Sequence, residues 1–167
     1  MSSGADFMET GGIPYSKAKE ELGRMLFFDP LLSGGATRSC ASCHNPGLSW
    51  GDGLARAIGE KPLPLRSPTL YNMAWSQILG WDGKFRSLES VTFAPITSPA
   101  NMNRREEDLL GALAVIPGYR QLFARAFPDD PRPNRENIEA ALATFERTLV
   151  SAATPFDRWI EGDETAI

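Results

Sequence analysis

The apolar positions of this chain recur at helical rather than strand spacing. Ala18, Leu22, Met25 and Leu26 fall three and four residues apart, which predicts a helix over 16–28 capped by Ser16 and stopped by Asp29-Pro30. The clearest stripe is Ile138, Leu142, Phe145 and Leu149, which predicts a helix over 134–151 whose stripe packs into a core, with Glu139, Glu146 and Arg147 off it. Between these two, Asn103 and Glu106 read as a capping box opening a helix through Leu109, Leu110 and Leu113. Ile116-Pro117-Gly118 breaks that helix, and a further one over 119–127 stops at Pro128. Short helices are predicted over 69–77 and 87–93, and a last one begins at Pro155-Phe156 and contains Trp159. No segment alternates as a strand would, so the class is all-α.

Two stretches lack any period. Residues 1–14 are rich in Gly, Ser and polar residues and read as a flexible tail, leaving 15–167 as a single domain. Residues 45–68 are dense in Gly and Pro, and a long irregular stretch inside a compact domain usually carries a function. Composition narrows the partners. With 167 residues, 42% apolar content and a formal charge of −4, the chain shows no basic patch, which argues against nucleic acid. No apolar run reaches the length of a membrane span.

The chemistry concentrates in Cys40-Ala41-Ser42-Cys43-His44, and these are the chain's two cysteines and one histidine. C-x-x-C-H is the attachment signature of c-type haem. Two thiols at that spacing reach the two vinyl groups of one porphyrin, and the next imidazole is held under the iron as an axial ligand. A zinc site would need a fourth N/S ligand that the chain does not supply. A dithiol redox pair is the other alternative, although no βαβ pattern surrounds it. A covalent haem would also explain residues 45–68, since the cofactor provides the core such a loop lacks. Haem c is attached outside the bacterial cytoplasm, so the expected location is periplasmic, with no signal peptide visible in residues 1–12.

Several segments together resemble the bacterial di-haem cytochrome c peroxidases and their MauG-type relatives. They are Leu22 to Pro30, Ser39 to Asn45, Arg66-Ser67-Pro68-Thr69-Leu70-Tyr71-Asn72, Trp81-Asp82-Gly83-Lys84, Ile116 to Tyr119, and Phe145 to Leu149. The resemblance implies a cytochrome-c-like helical domain around one haem c, matching the N-terminal half of proteins that carry two. It implies peroxide reduction with electrons from a small redox protein, a cytochrome c or a cupredoxin, and a second haem supplied by another domain or subunit. It also implies a calcium ion. Cys40 and Cys43 would hold the haem and His44 would be the proximal ligand. Trp81 would relay electrons between haems, its alternative being a buried core aromatic. Lys84 stands where the family has arginine and loses the planar fork.

The departures bear on activity. The loop over 57–65 holds no histidine, so bis-histidine ligation is excluded and the iron is five-coordinate, water-bound or ligated by methionine, with Met73 and Met102 as candidates. Aligning Pro95 and Met102 with the family's P-x-x-x-x-x-E-M segment puts Asn101 at the distal glutamate and Val91 at the upstream glutamine. An amide only hydrogen-bonds, where a carboxylate also moves protons. Weak peroxidase activity is therefore expected, and a mono-haem electron carrier is the alternative function. Glu89 and Asp82, the nearest carboxylates in sequence, read as ordinary surface charges.

Overall fold

The computed structural model describes residues 14–167. The tail predicted at 1–14 lies, but for Pro14, outside the described residues. Among the described residues the chain forms seven α-helices, short 3₁₀ turns and isolated bridges, with no strand.

Helix α1 (Lys17–Phe28) starts where the sequence predicts: the Ser16 hydroxyl accepts the Lys19 N–H at 3.2 Å. Its buried Leu22, Leu26 and Phe27 pack chiefly on α6 (Arg135–Arg147), which Asn134 caps by accepting from the Asn137 N–H at 2.8 Å. The crossing is close because position 23 is glycine. A Cβ there would lie 1.9 Å from the Ala141 carbonyl oxygen. Ile138, Leu142, Phe145 and Leu149 are all buried, as their stripe requires. Helix α6 nevertheless ends at Arg147 and not near Ser151. The chain leaves it to pair with Asn72, whose N–H donates to Leu149 O at 2.9 Å and whose side chain accepts the Ser151 N–H at 3.1 Å.

The haem motif forms the four-residue helix α2 (Cys40–Cys43). The region predicted as helix over 69–77 holds only a 3₁₀ turn, Met73–Trp75, because Asn72 takes a left-handed conformation (φ 62°) to make its bonds with the C-terminal end of α6. Helix α3 (Leu88–Thr97) runs four residues past the predicted end and carries Pro95 inside it. Its last turn is held from outside, with Met102 N–H on Pro95 O at 3.2 Å and Arg104 N–H on Ile96 O at 2.9 Å.

The capping box predicted from Asn103 and Glu106 does not form. Asn103 is left-handed (φ 50°) and its N–H closes the turn after α3 on Ser98 O, so α4 (Glu106–Val115) begins after Arg105 without a side-chain cap. Three acidic residues in its first turn, Glu106, Glu107 and Asp108, face the positive end of the helix dipole instead. Pro117 starts α5 (Pro117–Ala126) as its first residue, earlier than predicted. From α5 the Tyr119 hydroxyl donates to Asp29 at the end of α1 at 2.6 Å. Helix α7 (Pro155–Ile160) carries no buried residue.

Candidate haem site

The loop after α2 folds back on the imidazole. Asn45 N–H donates to Gly51 O and Trp50 N–H to Asn45 O, both at 2.9 Å, which brings the Trp50 carbonyl round to His44. His44 Nδ1 lies 3.1 Å from Trp50 O and 3.1 Å from Pro68 O. Carbonyls only accept, so Nδ1 carries the ring proton and Nε2 keeps its lone pair. Thr69 ties the two carbonyl-bearing loops together, its hydroxyl donating to Ser49 O at 2.6 Å. Burial holds the His44 pKa below the usual histidine value, against the two carbonyls and the Asp52 carboxylate, and so favours the neutral ring a metal needs.

His44, Cys40 and Cys43 open onto one cavity of about 560 Å3, mostly apolar in its walls. Helix α3 contributes Leu88, Val91 and Thr92, and α6 contributes Leu142 and Glu146. Leu79, Trp81 and Phe85 close another side. Burial pushes the Cys40 thiol up to about 12, with the Glu146 carboxylate adding to the rise. Burial also raises the Cys43 thiol, against a hydrogen bond with Ser67. Thiols raised by burial in this way are poor thiolate nucleophiles, which speaks against a dithiol redox pair. Both thiols, the free imidazole nitrogen and the cavity thus fit a haem c.

Residues 17–165 match the model of the di-haem cytochrome c peroxidases. The chain belongs to that family. It is 46% identical to the methylamine utilization protein MauG of Methylorubrum extorquens, over 98% of this chain and 48% of that protein. It is 34% identical to the cytochrome c551 peroxidase of Pseudomonas aeruginosa, over 95% of this chain and 47% of that protein. Among solved structures it superposes with a TM-score of 0.83 and 30% identity on a MauG-like protein associated with microbial copper homeostasis, covering 90% of this chain and 46% of the other. The chain spans about half the length of the curated relatives it matches.

In this member of the peroxidase family, Asn101, Val91, Met73 and Met102 all line the same cavity. Asn101 sits on the turn after α3, pinned by Glu60 N–H on its carbonyl at 2.9 Å. Met102 is buried, and the Met73 sulfur accepts from the Ser76 hydroxyl at 3.8 Å. Trp81 is at the cavity rim, 60% exposed, with its ring N–H on Arg66 O at 2.9 Å, so it is not a buried core aromatic. Lys84 lies over the Phe85 ring and 3.6 Å from Asp82, an exposed pair.

Two expectations about charge change. Glu89 is not a surface charge: both its oxygens take the Arg147 guanidinium, at 2.6 and 3.0 Å, and the Arg147 side chain is only 6% exposed. Glu146 enters the cavity wall, and burial pushes its carboxyl up to about 8, Arg147 opposing and Glu89 adding to the rise. The helical period had set Glu146 off the core stripe, and it gave no signal that this flank of α6 lines a cavity. Among the described residues no three His, Cys, Asp or Glu side chains come together as a metal site, so calcium gains no candidate of that kind. No helix among them is long and apolar enough to cross a membrane.

Proposed function

We propose that this chain is the haem c module of a peroxidase-type oxidoreductase of the periplasm, reducing hydrogen peroxide weakly with electrons from a small redox protein. The observation that carries this is the joining of Cys40, Cys43 and a His44 whose Nδ1 is already committed, on one cavity that Asn101 also lines. Haem bound there supplies the redox-active iron at which an O–O bond is split.

The protein residues do the rest. Cys40 and Cys43 would hold the haem, and His44 would offer it Nε2 from a ring held by Trp50 O and Pro68 O. Asn101 can orient a peroxide by hydrogen bonding, but its amide does not take a proton from one oxygen and give it to the other. That loss is worth about a hundred- to ten-thousand-fold in rate. Trp81 would pass electrons to a second haem domain or subunit, a role its exposure at the rim supports. Met73 and Met102 in the same cavity support the alternative of a six-coordinate electron carrier.

The ferric absorption spectrum of the matured protein, with and without peroxide, separates the two. A high-spin spectrum that shifts on adding peroxide, with slow turnover, is expected. A low-spin spectrum with a methionine-to-iron band and no response to peroxide would replace the enzyme by the carrier.

A further inference from the structure

Glu146 lines the haem cavity and no step above uses it. It projects from the same face of α6 as Leu142, and its charge is felt at the Cys40 thiol. No hydrogen bond to its carboxylate oxygens is present among the described residues, while its chain neighbour Arg147 gives both terminal nitrogens to Glu89. We propose that Glu146 couples protons to electrons at this centre: its carboxylate takes one proton from solvent when the haem takes one electron from the small redox protein, and returns it on reoxidation. This rests on the reading of the cavity as a haem site.

The argument is electrostatic. A ferric haem carries one more positive charge than a ferrous one, so it favours a carboxylate at its edge, and reduction removes that favour. Few other charged groups stand near it, and the loops that line the same cavity bring Arg38 and Lys84. On α6 itself stands Arg147, from α3 comes Glu89 bound to it, and α2 brings only the Cys40 thiol. From α1 and the Met73–Trp75 turn no charge acts on Glu146. Arg147 and Glu89 hold each other as an ion pair, and Glu146 is the carboxylate that faces the cavity. Burial already places that change near neutral pH, at about 8. The balance is one electron and one proton in, one electron and one proton out.

The test is the midpoint potential of the matured protein as a function of pH, measured by spectroelectrochemistry over roughly pH 6 to 9. The wild-type potential is expected to fall with pH, with a limiting slope of a tenfold change in equilibrium per unit, about 59 mV for one electron. In E146Q most of that fall should vanish, and what remains belongs to the haem propionates. A flat wild-type line overturns the proposal, and so does an E146Q line parallel to the wild type. Should E146Q fail to mature, E146D must move the pH range of the fall, and an unmoved range overturns it equally. Intact mass showing the bare polypeptide would overturn the haem reading itself, before any potential is read.

Discussion

Gly23 and Ala141 meet backbone to backbone where α1 crosses α6. A methyl group at position 23 would sit 1.9 Å from the Ala141 carbonyl oxygen and 2.9 Å from Phe145 Cβ. Neither contact can be relieved by turning a side chain. Gly23→Ala is therefore expected to cost about 3 kcal/mol or more of stability. Gly111, inside α4, is the control, because a Cβ there meets nothing within 4 Å. Gly111→Ala should stabilise by about 0.5 to 1 kcal/mol through helix propensity. Denaturant unfolding of both variants checks the pair, and equal effects would disprove the close crossing.

The Arg147–Glu89 ion pair predicts a strongly non-additive cycle. Glu89→Ala leaves a buried guanidinium without a partner and should cost about 3 kcal/mol. Replacing both residues, with Arg147→Met alongside, should cost much less than the sum of the single changes. Additive losses in a double-mutant unfolding cycle would show that the pair is not coupled.

Restoring a carboxylate at the distal position should restore turnover. Asn101→Glu places an acid/base group in the cavity and is expected to raise peroxide reduction by about a hundredfold or more. Steady-state assays with a reduced small cytochrome c measure this. An unchanged rate in a correctly matured variant would mean that another group already moves the proton.

Glu146 also predicts how stability follows pH. Its carboxyl is held at about 8 in the folded protein, against an ordinary value of 4.5. Between these values the folded state binds a proton that the unfolded chain has released. The contribution is thus complete below pH 4.5 and is lost as pH rises through 8. The stability advantage of wild type over E146Q should shrink across that window, by at most about 1.4 kcal/mol for each pH unit. A pH-independent difference in unfolding free energy would refute the buried carboxyl.

The parts of the fold that depend on local pattern were legible in the sequence. Ser16 caps the helix it precedes, a helix starts at Asn134–Arg135, and Ile138, Leu142, Phe145 and Leu149 are all buried. What misled was chemistry satisfied at long range. Asn72 reads as part of a helix and Asn103 as the cap of one, yet each adopts a left-handed turn to bond elsewhere in the fold, Asn72 with residues beyond α6 and Asn103 with Ser98. The helix predicted over 87–93 runs on through Pro95 because Met102 and Arg104 hold its last turn. The haem motif and its cavity partners Asn101, Met73 and Met102 came from spacing and family resemblance. Glu146 and Arg147 did not, because a helix period says which residues share a face and not what that face meets.

The bonds between Asn72 and the stretch after α6 have a structural meaning. Leu149 and Ser151 are where the polypeptide departs from the helical body, and Asn72 grips both while standing just beyond Pro68, whose carbonyl steers the His44 ring. One short loop thus joins the exit of α6 to the carbonyl that holds the imidazole.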